Sequence, residues 1–159
     1  MDADALNRIS ESKLGSSFFL ERKFKTWITP HRKEFRRLFP DFKSENNVGL
    51  AFDAAKEFNI SILLKGANSI IADDKIVWQL FGTDSQTARA GLGDLLSGFV
   101  AGSSAIDLTL CRNISTDFFT KYVLLHSFAA SKCKSGSNAS AIGDELTKLM
   151  RNIKTRQIS

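Results

Sequence analysis

The residues Ala90-Gly91-Leu92-Gly93-Asp94-Leu95-Leu96-Ser97-Gly98 join glycines to a carboxylate in one short stretch. From Leu92 the apolar residues fall at Leu92, Leu95, Leu96, Phe99 and Val100, the three-and-four spacing of a helix with one buried face. A glycine-rich turn is therefore expected to open a helix. The first turn of a helix has backbone N–H groups without partners and the positive end of the dipole, and glycine lets a phosphate come close to them. Asp94 lies just inside that turn, placed to take a proton from a hydroxyl that attacks phosphorus. The same pattern has a plainer meaning, a glycine loop followed by an aspartate that favours the helix dipole. The surrounding chain has to decide.

The chain has 159 residues, the length of one domain, and its 43% apolar and 25% charged content is ordinary for a soluble globular protein. Its net charge of +5 gathers at Arg22-Lys23-Phe24-Lys25, Arg32-Lys33 and Arg36-Arg37, interleaved with Glu21 and Glu34. This is the pattern of a solvated helix face, and no nucleic-acid fold signature accompanies it, so no nucleic-acid partner is expected. Cys111 and Cys133 lack metal-ligand spacing and read as reduced thiols. With no apolar run long enough to span a bilayer and no signal-peptide pattern, a cytoplasmic location without membrane contact is expected.

Several elements must position the chemistry. Leu6, Ile9 and Leu14 suggest a first helix, whose opening residues Asp2, Asp4 and Asn7 have the composition of caps. Thr26-Trp27-Ile28-Thr29 reads as a short strand ended by Pro30. His31 then occupies the turn before a helix carrying Phe35, Leu38 and Phe39. After a polar connection, Leu50, Ala51, Ala54, Ala55 and Phe58 mark another helix. The run from Asn59 to Gly66 has the continuous apolar character of a strand covered on both faces in a parallel sheet, and it ends in Lys65-Gly66. A hairpin is expected from Ser69–Ala72 and Lys75–Leu80 around a two-residue Asp73-Asp74 turn. Beyond the glycine stretch, a helix over 117–132 would bury Phe118, Tyr122, Leu125 and Ala129, with a cap at Ser115 or Thr116 and His126 as a packing or surface residue. A last helix would bury Ile142, Leu146, Leu149, Met150 and Ile153, with a tail fraying from Lys154.

Asp4 to Asn7, His31, Lys65 to Ser69 and Gly91 to Asp94 all stand at expected strand ends or helix starts, positions that gather along one edge of an α/β sheet. Four segments, Asp2-Ala3-Asp4-Ala5-Leu6-Asn7, Thr29-Pro30-His31-Arg32-Lys33-Glu34-Phe35, Leu64-Lys65-Gly66-Ala67-Asn68-Ser69 and Ala88 to Gly98, resemble in order and spacing the motifs of the ADP-dependent NAD(P)H-hydrate dehydratases of the ribokinase-like superfamily. The resemblance implies a three-layer α/β/α fold with a central, mostly parallel sheet, residues 1–153 forming part of the domain and 154–159 a frayed tail. It also implies ADP-dependent dehydration of the S epimer of hydrated NADH or NADPH, releasing AMP and phosphate. Asp94 would then be the catalytic base and touch substrate. His31, Asp4 and Asn7 would contact the hydrated nucleotide. Lys65, Gly66, Ala67, Asn68 and Ser69 would form the nucleotide-binding turn, and Gly91 and Gly93 would hold phosphoryl oxygens. ADP as phosphoryl donor and Mg2+ are the expected cofactors.

The chain departs from the family pattern at three places. Arg32-Lys33 follow His31 where the family has Pro-Gly. The Asn-rich segment before the glycine motif is poorly kept in Phe81 to Gln86, and Ser69 stands for a threonine. Family members also carry about one small domain's worth of residues ahead of the first motif. The expectation is therefore a fold truncated at its N-terminus, completed by a second polypeptide or by self-association, the family being tetrameric, or else a truncated reading of a longer gene. The alternative function is a non-catalytic remnant, or one part of a split enzyme, that binds nucleotide. A small-molecule kinase of the same superfamily would share the glycine-aspartate motif without the Thr-Pro-His and Leu-Lys-Gly-Ala segments.

Overall fold

Strand β2 (Ser61–Leu64) is the centre of the first half of the molecule, with all four residues buried as the apolar run requires. The computed structural model describes residues 1–81, 91–110, 115–134 and 136–156, with side chains as far as Ile153. The fold is α/β, and these residues fall into two compact units, Met1–Gly82 and Thr83–Ser159.

In the first unit, β2 pairs in parallel with β1 (Trp27–Ile28), Trp27 facing Ser61 and Ile28 facing Ile62. On its other side it pairs antiparallel with β3 (Ile70–Ala72), which pairs antiparallel with β4 (Val77–Gln79). The sheet is thus mixed, not mostly parallel. The reason is the link between β2 and β3: the turn from Lys65 to Ser69 is too short for the crossover helix that a parallel return demands. The β3–β4 hairpin forms as expected with a wider turn. Asp73 N–H donates to the Ile76 carbonyl at 3.0 Å, and Asp73 Oδ1 accepts from Lys75 N at 2.8 Å and Ile76 N at 2.7 Å.

Three helices accompany this sheet. Helix α1 (Ala3–Glu11) buries Leu6, but it stops before Leu14, which is 45% exposed and precedes a 3-10 turn over Gly15–Phe19. Helix α2 (Arg32–Leu38) follows His31. Helix α3 (Asn47–Phe58) buries Leu50, Ala51, Ala54, Ala55 and Phe58, the expected set. It is opened by Asn46 Oδ1 accepting from Val48 N and Gly49 N, and closed by Asn59 in the left-handed region. Aromatic rings from the 3-10 turn, α2, its exit and α3 meet around Phe39: ring centroids lie 4.9 Å away at Phe35, 5.1 Å at Phe58, 6.0 Å at Phe42 and 6.1 Å at Phe19.

The second unit contains α4 (Leu92–Leu110), α5 (Thr116–Lys132) and α6 (Ala139–Arg156). Leu96 and Val100 are buried on α4, and Leu92, Leu95 and Phe99 pack against a core of Ala129, Ala130, Ile142 and Leu146. The buried stripe of α5 runs through Phe119, Tyr122, Val123, His126, Ala129 and Ala130, rotated from the expected one because α5 packs against both α4 and α6. Tyr122 donates to the Asp107 carboxylate of α4, and its ring meets Phe99 edge-on at 5.6 Å. The backbone of α6 remains helical through Arg156, past the expected fraying point at Lys154. The segment expected to lead into the glycine stretch, Gly82 to Ala90, and Cys111 lie outside the described residues.

Candidate functional site

The carboxyl ends of β1 and β2 bring two of the sequence motifs side by side. Pro30 ends the first strand, and Lys65 N–H donates to the Pro30 carbonyl at 2.8 Å. His31 and Lys65 therefore sit in register as parallel bridge partners. The first motif joins them along the outer edge of β1. The Met1 amine donates to the Trp27 carbonyl at 2.7 Å, and Thr29 N–H donates to the Met1 carbonyl at 3.1 Å. Burial lowers the Met1 amine pKa, a shift that Asp2 opposes and Arg22 reinforces.

Asp2 follows at once, and its Oδ1 accepts from Lys65 Nζ at 2.7 Å, with the two side chains 10% and 24% exposed. Although Asp2 stands at the N-cap position of α1, its side chain makes no capping hydrogen bond there. Ala3, the next residue, has φ +44°, a left-handed conformation unusual for a residue with a Cβ. Sequence reasoning missed Asp2 by treating it as a cap. The usable signal was a carboxylate and a lysine expected at the ends of neighbouring strands. Asp4 is exposed and Asn7 half-buried on α1, three residues apart and so on one side of the helix.

His31 is held by its own helix. Its Nδ1 accepts from Lys33 N and Glu34 N, both at 3.1 Å, so in this arrangement the ring proton belongs on Nε2. Its backbone N–H donates to Glu34 Oε2 at 2.8 Å, completing a capping box. The Lys65–Ser69 turn is closed by its last hydroxyl: Ser69 Oγ donates to the Gly66 carbonyl at 3.2 Å and accepts from Gly66 N at 3.4 Å. Gly66, Ala67 and Asn68 are exposed along it.

In the second unit, Gly91 adopts φ +82°, which glycine accepts without strain, and its carbonyl accepts from Leu95 N at 2.9 Å to open α4. Gly93 and Asp94 follow in the first turn, with Asp94 exposed. Asp94 stands at the rim of an open hollow of about 630 Å³ that Leu95, Phe99, Gly143, Thr147 and Arg151 also line. Among the described residues no three His, Cys, Asp or Glu side chains gather to hold a metal, and none of their helices is long and apolar enough to cross a membrane.

Comparison with known proteins gives this arrangement its family. A family model described as NAD(P)H-hydrate dehydratase matches residues 1–154. The bifunctional NAD(P)H-hydrate repair enzyme of Synechocystis is 35% identical over 103 residues, 64% of this chain and 20% of its own length. The ADP-dependent (S)-NAD(P)H-hydrate dehydratase of Nitrosopumilus maritimus is 38% identical over 78 residues, 47% of this chain and 27% of its own. The chain therefore spans about a fifth to a quarter of these relatives. In fold it is similar to a ribokinase-like superfamily protein of Enterococcus faecalis (TM-score 0.73, 21% identity, 95% of this chain and 51% of that one). It is likewise similar to the ADP/ATP-dependent NAD(P)H-hydrate dehydratase of Bacillus subtilis co-crystallized with ATP/Mg2+ (TM-score 0.65, 22% identity, 83% and 49%). The fold is ribokinase-like, and the chain belongs to the NAD(P)H-hydrate dehydratase family.

Proposed function

We propose that this chain carries the nucleotide and phosphoryl-transfer side of an ADP-dependent (S)-NAD(P)H-hydrate dehydratase. The observation that carries the reading is the convergence of three separate motifs, through Asp2, His31 and Lys65, at the carboxyl ends of β1 and β2. In open α/β sheets that edge is where ligands bind. Lys65 and the exposed backbone of Gly66, Ala67 and Asn68 would face the nucleotide, Ser69 keeping the turn closed. His31, Asp4 and Asn7 would contact the hydrated nicotinamide nucleotide. The start of α4, with Gly91 and Gly93, would hold phosphoryl oxygens on the amides of its first turn.

Asp94 acts as the base. Its carboxylate takes the proton of the substrate hydroxyl as that oxygen bonds to the terminal phosphorus of ADP, and the bond from phosphorus to the oxygen of AMP breaks. The phosphate ester then loses inorganic phosphate while the neighbouring carbon gives up a proton, restoring the double bond of NAD(P)H. The hard oxygens of the exposed Asp94 carboxylate suit Mg2+, which would supply charge neutralisation on the nucleotide when bound. A cytoplasmic enzyme completed by an N-terminal half, or by self-association, fits the reading.

The test follows NADH absorbance after hydrated NADH and ADP are mixed with the chain, alone and joined to the N-terminal half of a relative. Recovery that requires ADP and disappears in Asp94→Asn is expected. ADP binding without turnover in either form would leave a nucleotide-binding remnant and overturn the catalytic reading.

A further inference from the structure

We infer that Asp2 is the positioning residue for Lys65, holding its ammonium at the carboxyl end of β2 for the anionic oxygens of a bound adenine nucleotide. This rests on the nucleotide reading of Lys65 given above. A lysine side chain is long and flexible, and an untethered one must be ordered when a phosphate arrives. Here the ordering is done beforehand: Asp2 Oδ1 takes one of three ammonium donors at 2.7 Å and leaves two for a ligand.

Two features argue that the pair serves this purpose and not the helix. The Asp2 side chain stands at the start of α1 without capping it, and its Oδ1 accepts from Lys65 Nζ instead. Ala3 beside it takes φ +44°, and a strained residue next to a half-buried ion pair marks a conformation imposed by its surroundings. The pair also spans 63 residues of sequence, tying the first motif to the third. The Met1 amine beside Asp2 feels both Asp2 and Arg22, and the Arg22 guanidinium donates to Thr26 Oγ1 at 2.6 Å, ahead of β1.

The experiment is a double-mutant cycle read by calorimetric titration of ADP, with thermal melts run alongside. Asp2→Ala is expected to weaken ADP binding about tenfold, yet to change it less than about twofold in a Lys65→Met background, since the coupling passes through the ammonium. Asp2→Asn keeps an oxygen acceptor and is expected to hold affinity within about threefold, which carries the test if the alanine variant does not fold. Native ADP affinity in Asp2→Ala with only a lowered melting temperature, equal losses in both backgrounds, or a tenfold loss in Asp2→Asn would each overturn the inference alone. Absence of ADP binding by the native chain would overturn it together with the nucleotide role of Lys65.

Discussion

His31 and Glu34 cap each other across the first turn of α2: the backbone N–H of each is accepted by the other's side chain, at 2.8 Å to Glu34 Oε2 and 3.1 Å to His31 Nδ1. The Nδ1 edge of the imidazole is therefore committed to the helix, and Nε2 lies 3.5 Å from Glu34 Oε1 on a half-exposed side chain, so a ligand would meet the ring at that edge, beside the Glu34 carboxylate. Structural and ligand roles can be separated by substitution. Asparagine caps helices as well as any residue but is too short to replace the ring. His31→Asn is expected to keep stability within about 0.5 kcal/mol, and His31→Ala to lose about 1 kcal/mol. Both should lose affinity for hydrated NADH. Urea unfolding set against substrate titration checks the split. A large stability loss in the asparagine variant would show that the ring's packing, not its cap, holds α2.

Glycines at two motifs are expected to respond differently to alanine. At Gly91, φ is +82° and a Cβ would meet Ala139 Cβ at an ordinary 3.6 Å, so the penalty comes from the backbone and not from a clash. Gly91→Ala should cost about 1 kcal/mol. Gly66 has no positive φ, and its nearest obstacle, the Asn68 carbonyl, lies at 3.9 Å. Gly66→Ala should therefore leave the melting temperature unchanged, and any loss of ADP affinity in that variant reports a methyl group intruding where the nucleotide sits.

The elements legible in the sequence were those governed by one dominant local signal. Leu50, Ala51, Ala54, Ala55 and Phe58 mark α3 by spacing alone, and the unbroken apolar run marks β2, because both are buried in ways that period and composition encode. His31 before α2 followed from Pro30 and the helix period. What the sequence hid depends on tertiary partners. The rotated stripe of α5 arises because two helices pack on it, and the Phe39 cluster unites rings from segments with no common periodicity. Leu14 has the right spacing for α1, but the helix ends before reaching it. The Asp2–Lys65 pair closes over a sequence distance that no local pattern reports.

The aromatic cluster concentrates the stability of the first unit. Phe39 is 1% exposed and meets four other phenylalanine rings. Truncating it removes buried surface and leaves a cavity that the neighbouring rings cannot readily fill, since Phe19, Phe42 and Phe58 are each held by a further ring. Phe39→Ala is expected to cost about 3–5 kcal/mol in urea unfolding, and Phe39→Leu less than half of that. Equal, small effects would mean that the cluster collapses around the gap.

His126 makes the second unit sensitive to acid. It is 8% exposed, its Nε2 has no hydrogen-bond partner among the described residues, and burial pushes its pKa from the ordinary 6.5 down to about 4. The folded state therefore binds fewer protons than the unfolded chain between those values. Stability is then fully present above pH 6.5 and falls as the pH drops toward 4, where the imidazole can charge in the folded state too. The size of the loss is on the order of 3 kcal/mol. His126→Leu removes both the titration and the orphaned nitrogen, so its unfolding free energy should lose this component of the slope and match or exceed the native value at neutral pH. Denaturant melts at several pH values between 4 and 7 check this. An unchanged slope in the leucine variant would place the acid sensitivity in carboxylates elsewhere.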